Sequence, residues 1–140
     1  MRRIATLACL LALPGAAACG GDDTSAARKA AQDYVSSLGK RDGPGTCARM
    51  TKTLQRQFTD AVAKTDARFR GRSCPQIMQA ALDTIPQDQL RNFARAKISD
   101  LKLSGDEGSF RYTLGTINVD GKVAKENGDW KVSCCVPGAG

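Results

Sequence analysis

Residues 96–135 read AKISDLKLSGDEGSFRYTLGTINVDGKVAKENGDWKVSCC, and this stretch decides the fold. From about residue 95 onward apolar side chains recur at every second position, the period of a half-buried strand. Ile98, Leu101 and Leu103 fall on a first strand that runs out in SGDEG at 104–108. Phe110, Tyr112 and Leu114 alternate on a second, and Ile117 and Val119 continue it on the opposite parity. A parity switch needs one extra residue, which places a bulge at Gly115-Thr116. Asp120-Gly121 and Asn127-Gly128 read as hairpin turns. They enclose a strand at 122–126 and launch a last one at 129–135, with Trp130, Val132 and Cys134 on one face.

Upstream the period is 3.6. Ala27, Ala30, Ala31, Tyr34, Val35 and Leu38 form one helical stripe, with Thr24 or Ser25 available as N-cap and Gly39 as a stop. Residues 40–45, KRDGPG, are a loop. Thr46 can cap a second helix carrying Met50, Leu54, Phe58, Ala61 and Val62, which breaks at 68–72, RFRGR. A third helix opens at Ser73-Cys74-Pro75, with Pro early in the first turn. It carries Ile77, Met78, Ala81, Leu82 and Ile85 up to Pro86, and one short turn of helix follows at 87–93. Helices followed by an antiparallel meander give an α+β fold, with the helices packed on one face of a curved four-stranded sheet.

The chain has 140 residues, enough for one domain, and its 41% apolar and 25% charged residues are those of a globular chain. It contains no His. Catalytic triads built on His, His-ligated zinc and HExxH helices are therefore excluded. No cofactor is expected.

Met1-Arg2-Arg3 is a short positive region, and residues 4–13 are uncharged and apolar. Ten residues rise about 15 Å as a helix, half of a roughly 30 Å hydrocarbon core, so the segment reads as a cleaved export signal. Ala16-Ala17-Ala18-Cys19 resembles a bacterial lipobox, in which the cysteine is acylated and becomes the new N-terminus. Ala16 stands where that motif usually has Leu, and the same residues satisfy A-x-A cleavage, so a secreted product is the alternative. Removing 1–18 takes away Arg2 and Arg3, which lowers the formal net charge from +7 to +5. Residues 19–24 read as a flexible polar tether, 25–135 as the single domain and 136–140 as a tail. The expected location is the extracytoplasmic face of the cell membrane.

Removal of Cys9 with the signal leaves Cys19, Cys47, Cys74, Cys134 and Cys135. Acylation of Cys19 leaves four, an even set suited to an oxidising compartment. Cys47 and Cys74 each fall in the first turn of an expected helix, and the chain between them can double back to bring those starts together. The competing pairing joins each to one member of Cys134-Cys135. Neighbouring strand residues point to opposite faces, so both could not reach the helices without distorting the strand. Cys47–Cys74 is the expected disulfide. Cys134 and Cys135 are a candidate second thiol pair, bridged to each other or reduced with Cys134 inward. A redox dithiol or soft-metal site competes with a structural role there, but no C-x-x-C accompanies the pair. The spacings are not those of a zinc site, and no metal is expected.

Taken together, the N-terminal helix ending in Ser37-Leu38-Gly39, Asp42 in a Gly-rich bend, Cys47 on the next helix, Cys74 opening a third and Gly128-Asp129-Trp130-Lys131-Val132 closing the meander resemble the nuclear-transport-factor-2-like (cystatin-like, SnoaL-like) superfamily. The likeness is to its uncharacterised bacterial lipoprotein branch and covers residues 25–135. It implies a cone of curved sheet closed by helices, often around an apolar pocket, for which Tyr34, Phe58, Tyr112 and Trp130 are candidate lining residues. The superfamily hosts isomerases, dehydratases, cyclases and non-enzymatic modules, so the fold alone assigns no function.

Enzymes of this fold set Asp/His or Asp/Tyr groups inside the cone. Both tyrosines here sit on apolar stripes, where a core Tyr with a satisfied hydroxyl is the simpler reading. Asp100 fits a solvated strand edge better than an inward acid, and Trp130 closes a core as readily as it stacks a ligand. No catalytic set emerges. Arg49, Lys52 and Arg56 share an expected helix face and Arg68, Arg70 and Arg72 crowd the next loop. They are candidate anion-facing residues, toward lipid or wall polymer, or simply a solvated face. One Trp, two Tyr and four Phe are too few to interleave with basic residues for nucleic acid. The expected function is a membrane-anchored, non-catalytic binding or interaction module for a small apolar ligand or an envelope protein. A SnoaL-like hydro-lyase or isomerase acting on a small apolar substrate is one alternative, and an envelope structural or assembly accessory protein another.

Overall fold

A computed structural model describes residues 19–134. The segment 1–18, Cys135 and the tail 136–140, on which the signal-peptide, second-thiol and tail expectations fall, lie outside the described residues.

Helix α1 spans Cys19–Gly39, 21 residues or about 31 Å of rise. It starts well before the expected cap at Thr24 or Ser25, so the 19–24 segment read as a flexible tether is helical. The reason is a tertiary contact: Asp23 is pinned to Lys125 and Trp130 of the sheet. The apolar stripe is as expected, with Ala27, Ala31, Tyr34, Val35 and Leu38 all buried against the sheet and the other helices.

Helix α2 (Gly43–Ala48) forms inside the expected loop. Asp42 caps it by accepting from the Gly45 amide at 2.8 Å, and Pro44 sits in the first turn, where its missing N–H costs nothing. Thr46 is therefore no cap. Its buried hydroxyl donates to Asp42 O (2.7 Å) and lies 2.9 Å from Ser37 Oγ, which itself donates to Tyr34 O.

The single helix expected through 46–62 is two helices, because residues 49–51 pair with the sheet. The Thr51 amide donates to Val132 O (2.9 Å), and the Val132 amide donates to Arg49 O (2.8 Å). Thr51 then caps α3 (Lys52–Thr65) by accepting from the Leu54 amide. Leu54 and Phe58 are buried, whereas Ala61 is exposed and Val62 half-buried, so the apolar stripe fades along α3.

A 3-10 turn (Ala67–Phe69) leads to α4 (Cys74–Asp83), whose start is held by the Ser73 amide donating to Gln76 Oε1. Ile77, Met78 and Leu82 face the core, and Ala81 does not. Helix α5 (Gln87–Arg95) is longer than the single turn expected and buries Leu90.

Four antiparallel strands follow in the order β1-β2-β3-β4. They are β1 (Ile98–Ser104), β2 (Glu107–Leu114), β3 (Ile117–Glu126) and β4 (Asp129–Cys134). The α+β class and the four-stranded meander are as expected, but two boundaries move. Gly115-Thr116 is a two-residue turn, pairing Leu114 with Ile117, and not a bulge. A tight hairpin gives the same parity switch as a bulge, and Gly115 at φ +61° suits its first central position. Asp120-Gly121, expected as a turn, lies inside β3. Asn127-Gly128 is a turn, with φ of +54° and +85°. The one-residue slip needed to keep Ile98 and Leu101 on the core side occurs at Asp100, a bulge with φ +51°.

Gly121 is required by its cross-strand partner. A Cβ there would lie 2.3 Å from Phe110 Cζ, and Phe110 is 2% exposed. Gly121→Ala is expected to lower the unfolding free energy by about 1–3 kcal/mol, the range for overpacking a filled core. Denaturant midpoints measure it, and adding Phe110→Leu should recover part of the loss. A wild-type midpoint for Gly121→Ala would show that the ring moves aside freely.

Candidate functional site

The two cysteines opposite one another across α2 and α4 are bonded. Cys47–Cys74 has its Cα atoms 6.0 Å apart and closes a loop of sequence separation 27. In the chain-entropy account that closure contributes about 3–4 kcal/mol. Cys74 opens α4 as expected, but Cys47 sits near the end of α2, because α2 starts earlier than Thr46. Cys134 is disulfide-bonded too, which removes the reduced-thiol alternative for it.

Tyr34, Phe58, Tyr112 and Trp130, expected around a pocket, all belong to the packed core and are 7% exposed or less. Phe110 and Tyr112 rings stack with centroids 6.1 Å apart. The tyrosine hydroxyls differ from expectation: both are buried, and neither has a hydrogen-bond partner. Burial pushes both phenols well above their usual pKa, since the phenolate would lose its hydration.

Trp130 does have a polar partner. Its Nε1–H donates to Asp23 Oδ1 (3.2 Å), Lys125 Nζ lies 2.8 Å from the same oxygen, and that ammonium sits 5.4 Å from the indole centroid. Lys125 foremost, then Trp130, holds the Asp23 carboxyl below the usual carboxylate range. Glu126, which accepts from the Lys52 amide (2.8 Å) and pairs with Lys131, is lowered for the same kind of reason.

The six candidate anion-facing residues do not form one surface. Arg49 lies at the end of α2, not on the α3 face with Lys52 and Arg56, and donates to Gly45 O. Arg68 is taken up by Asp66 in a forked contact that lowers the Asp66 pKa. Arg70 and Arg72 are exposed. Arg68 and Arg72 rim a groove of about 460 Å³ beside Phe69. Asp100 faces solvent with Arg111, which also pairs with Asp120 at 2.7 Å. Among the described residues no three His, Cys, Asp or Glu side chains cluster as metal ligands, and no helix is long and apolar enough to cross a membrane.

Two features escaped the sequence reading. One is the Asp23 clamp. The other is a groove of about 750 Å³ between α1 and the α5–β1 link, rimmed by Arg28, Lys29, Arg95 and Lys97. Each half shows in sequence only as ordinary surface charge, and nothing local says that the halves meet.

Asp23 supplies a pH test. Its pKa is lower folded than unfolded, so its stabilising contact is complete above the unfolded value of about 4. The contact is lost as pH falls through the lowered folded value. Trp130 is the sole tryptophan, so its fluorescence reports the event. Emission should change in that acid window, and Asp23→Asn should already show the altered emission at neutral pH and stay flat. An acid transition unchanged in Asp23→Asn would assign it to another group.

The chain matches no protein-family model, no curated protein and no solved structure.

Proposed function

We propose that the protein is an extracytoplasmic lipoprotein, anchored by acyl chains on Cys19, whose single domain is a non-catalytic interaction module. On this reading the domain resembles the nuclear-transport-factor-2-like superfamily, with its curved sheet forming the wall of a cone that is filled by side chains. One observation carries the non-catalytic part: Tyr34, Phe58, Tyr112 and Trp130, the expected pocket lining, are packed into the core at 7% exposure or less. The groups whose pKa values shift agree with this reading, each moving away from neutrality. Asp23, Asp66, Asp120 and Glu126 go down; Tyr34, Tyr112, Arg68 and Arg111 go up. General acid–base catalysis needs the reverse, a group brought toward the working pH. A core filled in this way leaves partners to meet the outer surface.

The lipobox-like residues before Cys19 support the anchor, as does the even number of cysteines left once Cys19 is acylated. In a bacterial host that processes lipoproteins, the membrane fraction should contain the 19–140 polypeptide carrying acyl chains by intact mass. A soluble, unmodified product starting at Cys19 would refute the anchor. Spectroscopic titration addresses the second half of the proposal: neither tyrosine should ionise at or below the ordinary phenol value of about 10. A tyrosine titrating near neutrality would point to catalysis instead.

A further inference from the structure

The groove between α1 and the α5–β1 link is built by α1 completing the outer edge of the sheet. Gln32 behaves as a strand would: its Nε2 donates to Ala96 O (2.9 Å), and its Oε1 accepts from the Ile98 amide (3.2 Å). Arg28 Nη1 donates to Ile98 O (2.9 Å). These bonds fix the 96–98 backbone along α1. Ala96 and Ile98 are buried and Lys97, between them, is exposed, the alternation of an extended chain. Arg95, the exposed last residue of α5, stands beside it. Neither Arg95 nor Lys97 has an ion-pair partner among the described residues, whereas Lys29 is matched by Asp33, the one acid in the groove lining. A fixed frame thus holds four cations against one carboxylate, with Asp22 the exposed acid upstream on α1.

We infer that this groove docks on the anionic head groups of the membrane that holds Cys19. The inference rests on the anchoring proposed above and adds the surface that meets the bilayer. Helix α1 runs unbroken from Cys19, so Ser25 at the groove's mouth is about 9 Å of helical rise from the anchor, and Lys29 about 15 Å. That is one to two screening lengths at physiological salt, close enough for a tilted α1 to bring the cations to the head groups. A stiff helix also fixes which side of the domain turns toward the bilayer, which a flexible tether would not.

The test uses the unacylated 19–140 chain with Cys19→Ser, which retains every described element. Co-sedimentation with phosphatidylcholine vesicles, and with equimolar phosphatidylcholine–phosphatidylglycerol vesicles, gives partition coefficients. Wild type should prefer the anionic vesicles, and Arg95→Gln/Lys97→Gln should weaken that binding roughly 30-fold, as two contacts of about 1 kcal/mol each imply. The control Arg70→Gln/Arg72→Gln removes the same charge elsewhere and should change it about threefold or less. All four side chains are exposed, and matching thermal melts establish that both variants are folded. Equal losses in the two variants, or equal binding to both vesicles, would overturn the inference. So would groove-dependent binding to a soluble polyphosphate without binding to vesicles. Groove-dependent vesicle binding in a protein found never to be acylated would keep the groove and remove the anchor; acylation without groove dependence would do the reverse.

Discussion

Three backbone residues, Arg49, Met50 and Thr51, join the helical half of the protein to its sheet. Met50 forms a parallel bridge with Val132, and both residues are wholly buried. The two hydrogen bonds on either side of that bridge force the helix to stop after Ala48 and restart at Lys52. They also cover part of the β4 edge, which would otherwise offer unpaired amides and carbonyls to another chain. The end of α2 is thereby fixed in space, and Cys47 with it, two residues before the first paired backbone group. Cys74 then reaches Cys47 without the strand distortion that a bond to β4 would demand. The disulfide therefore ties α4 to a point already tied to the sheet, and one cross-link restrains three elements.

The polar groups inside this frame are treated unequally. The Thr46 hydroxyl donates to the Asp42 carbonyl and the neighbouring Ser37 hydroxyl to the Tyr34 carbonyl, so each finds an acceptor. The hydroxyls of Tyr34 and Tyr112 find none, and each unsatisfied group costs about 1–3 kcal/mol. Full burial of two aromatic rings, one of them stacked on Phe110, opposes that cost. At physiological pH both phenols keep their protons, because ionisation in place would cost far more than the missing hydrogen bond.

Fold class, the α1 stripe, the start of α4, the Asn127-Gly128 turn and the Cys47–Cys74 pairing were legible because each rests on local periodicity or on a short geometric argument. What was not legible depends on a partner far away in the chain. Gly121 after Asp120 has the composition of a turn, but its glycine is needed for a ring eleven residues earlier on the neighbouring strand. The break at 49–51 is invisible in a pattern that keeps its helical period from Met50 to Phe58, since only Val132 imposes it. The groove cations sit in two segments, Arg28 and Lys29 against Arg95 and Lys97, brought together by the packing of α1 on α5 and β1 and by the Gln32 and Arg28 contacts. The cations that were conspicuous in sequence proved less informative. Arg68 is neutralised by Asp66 two residues away, and Arg49 bonds to its own helix.

Helix α1 therefore does more than bury a stripe. Near its start Asp23 grips Lys125 and Trp130 at the β3–β4 hairpin; at its middle Arg28 and Gln32 finish β1; toward its end Ser37 meets Thr46 of α2. Contacts at three heights along about 31 Å of helix leave little freedom for it to pivot against the rest of the domain. Any force or restraint applied at Cys19 is then carried directly into the sheet and not absorbed by a linker. For a domain held at its N-terminus, such a connection sets orientation as well as proximity. The α1–α5 groove, lined by α1 itself, is thereby held at a set distance from Cys19 along one continuous helix.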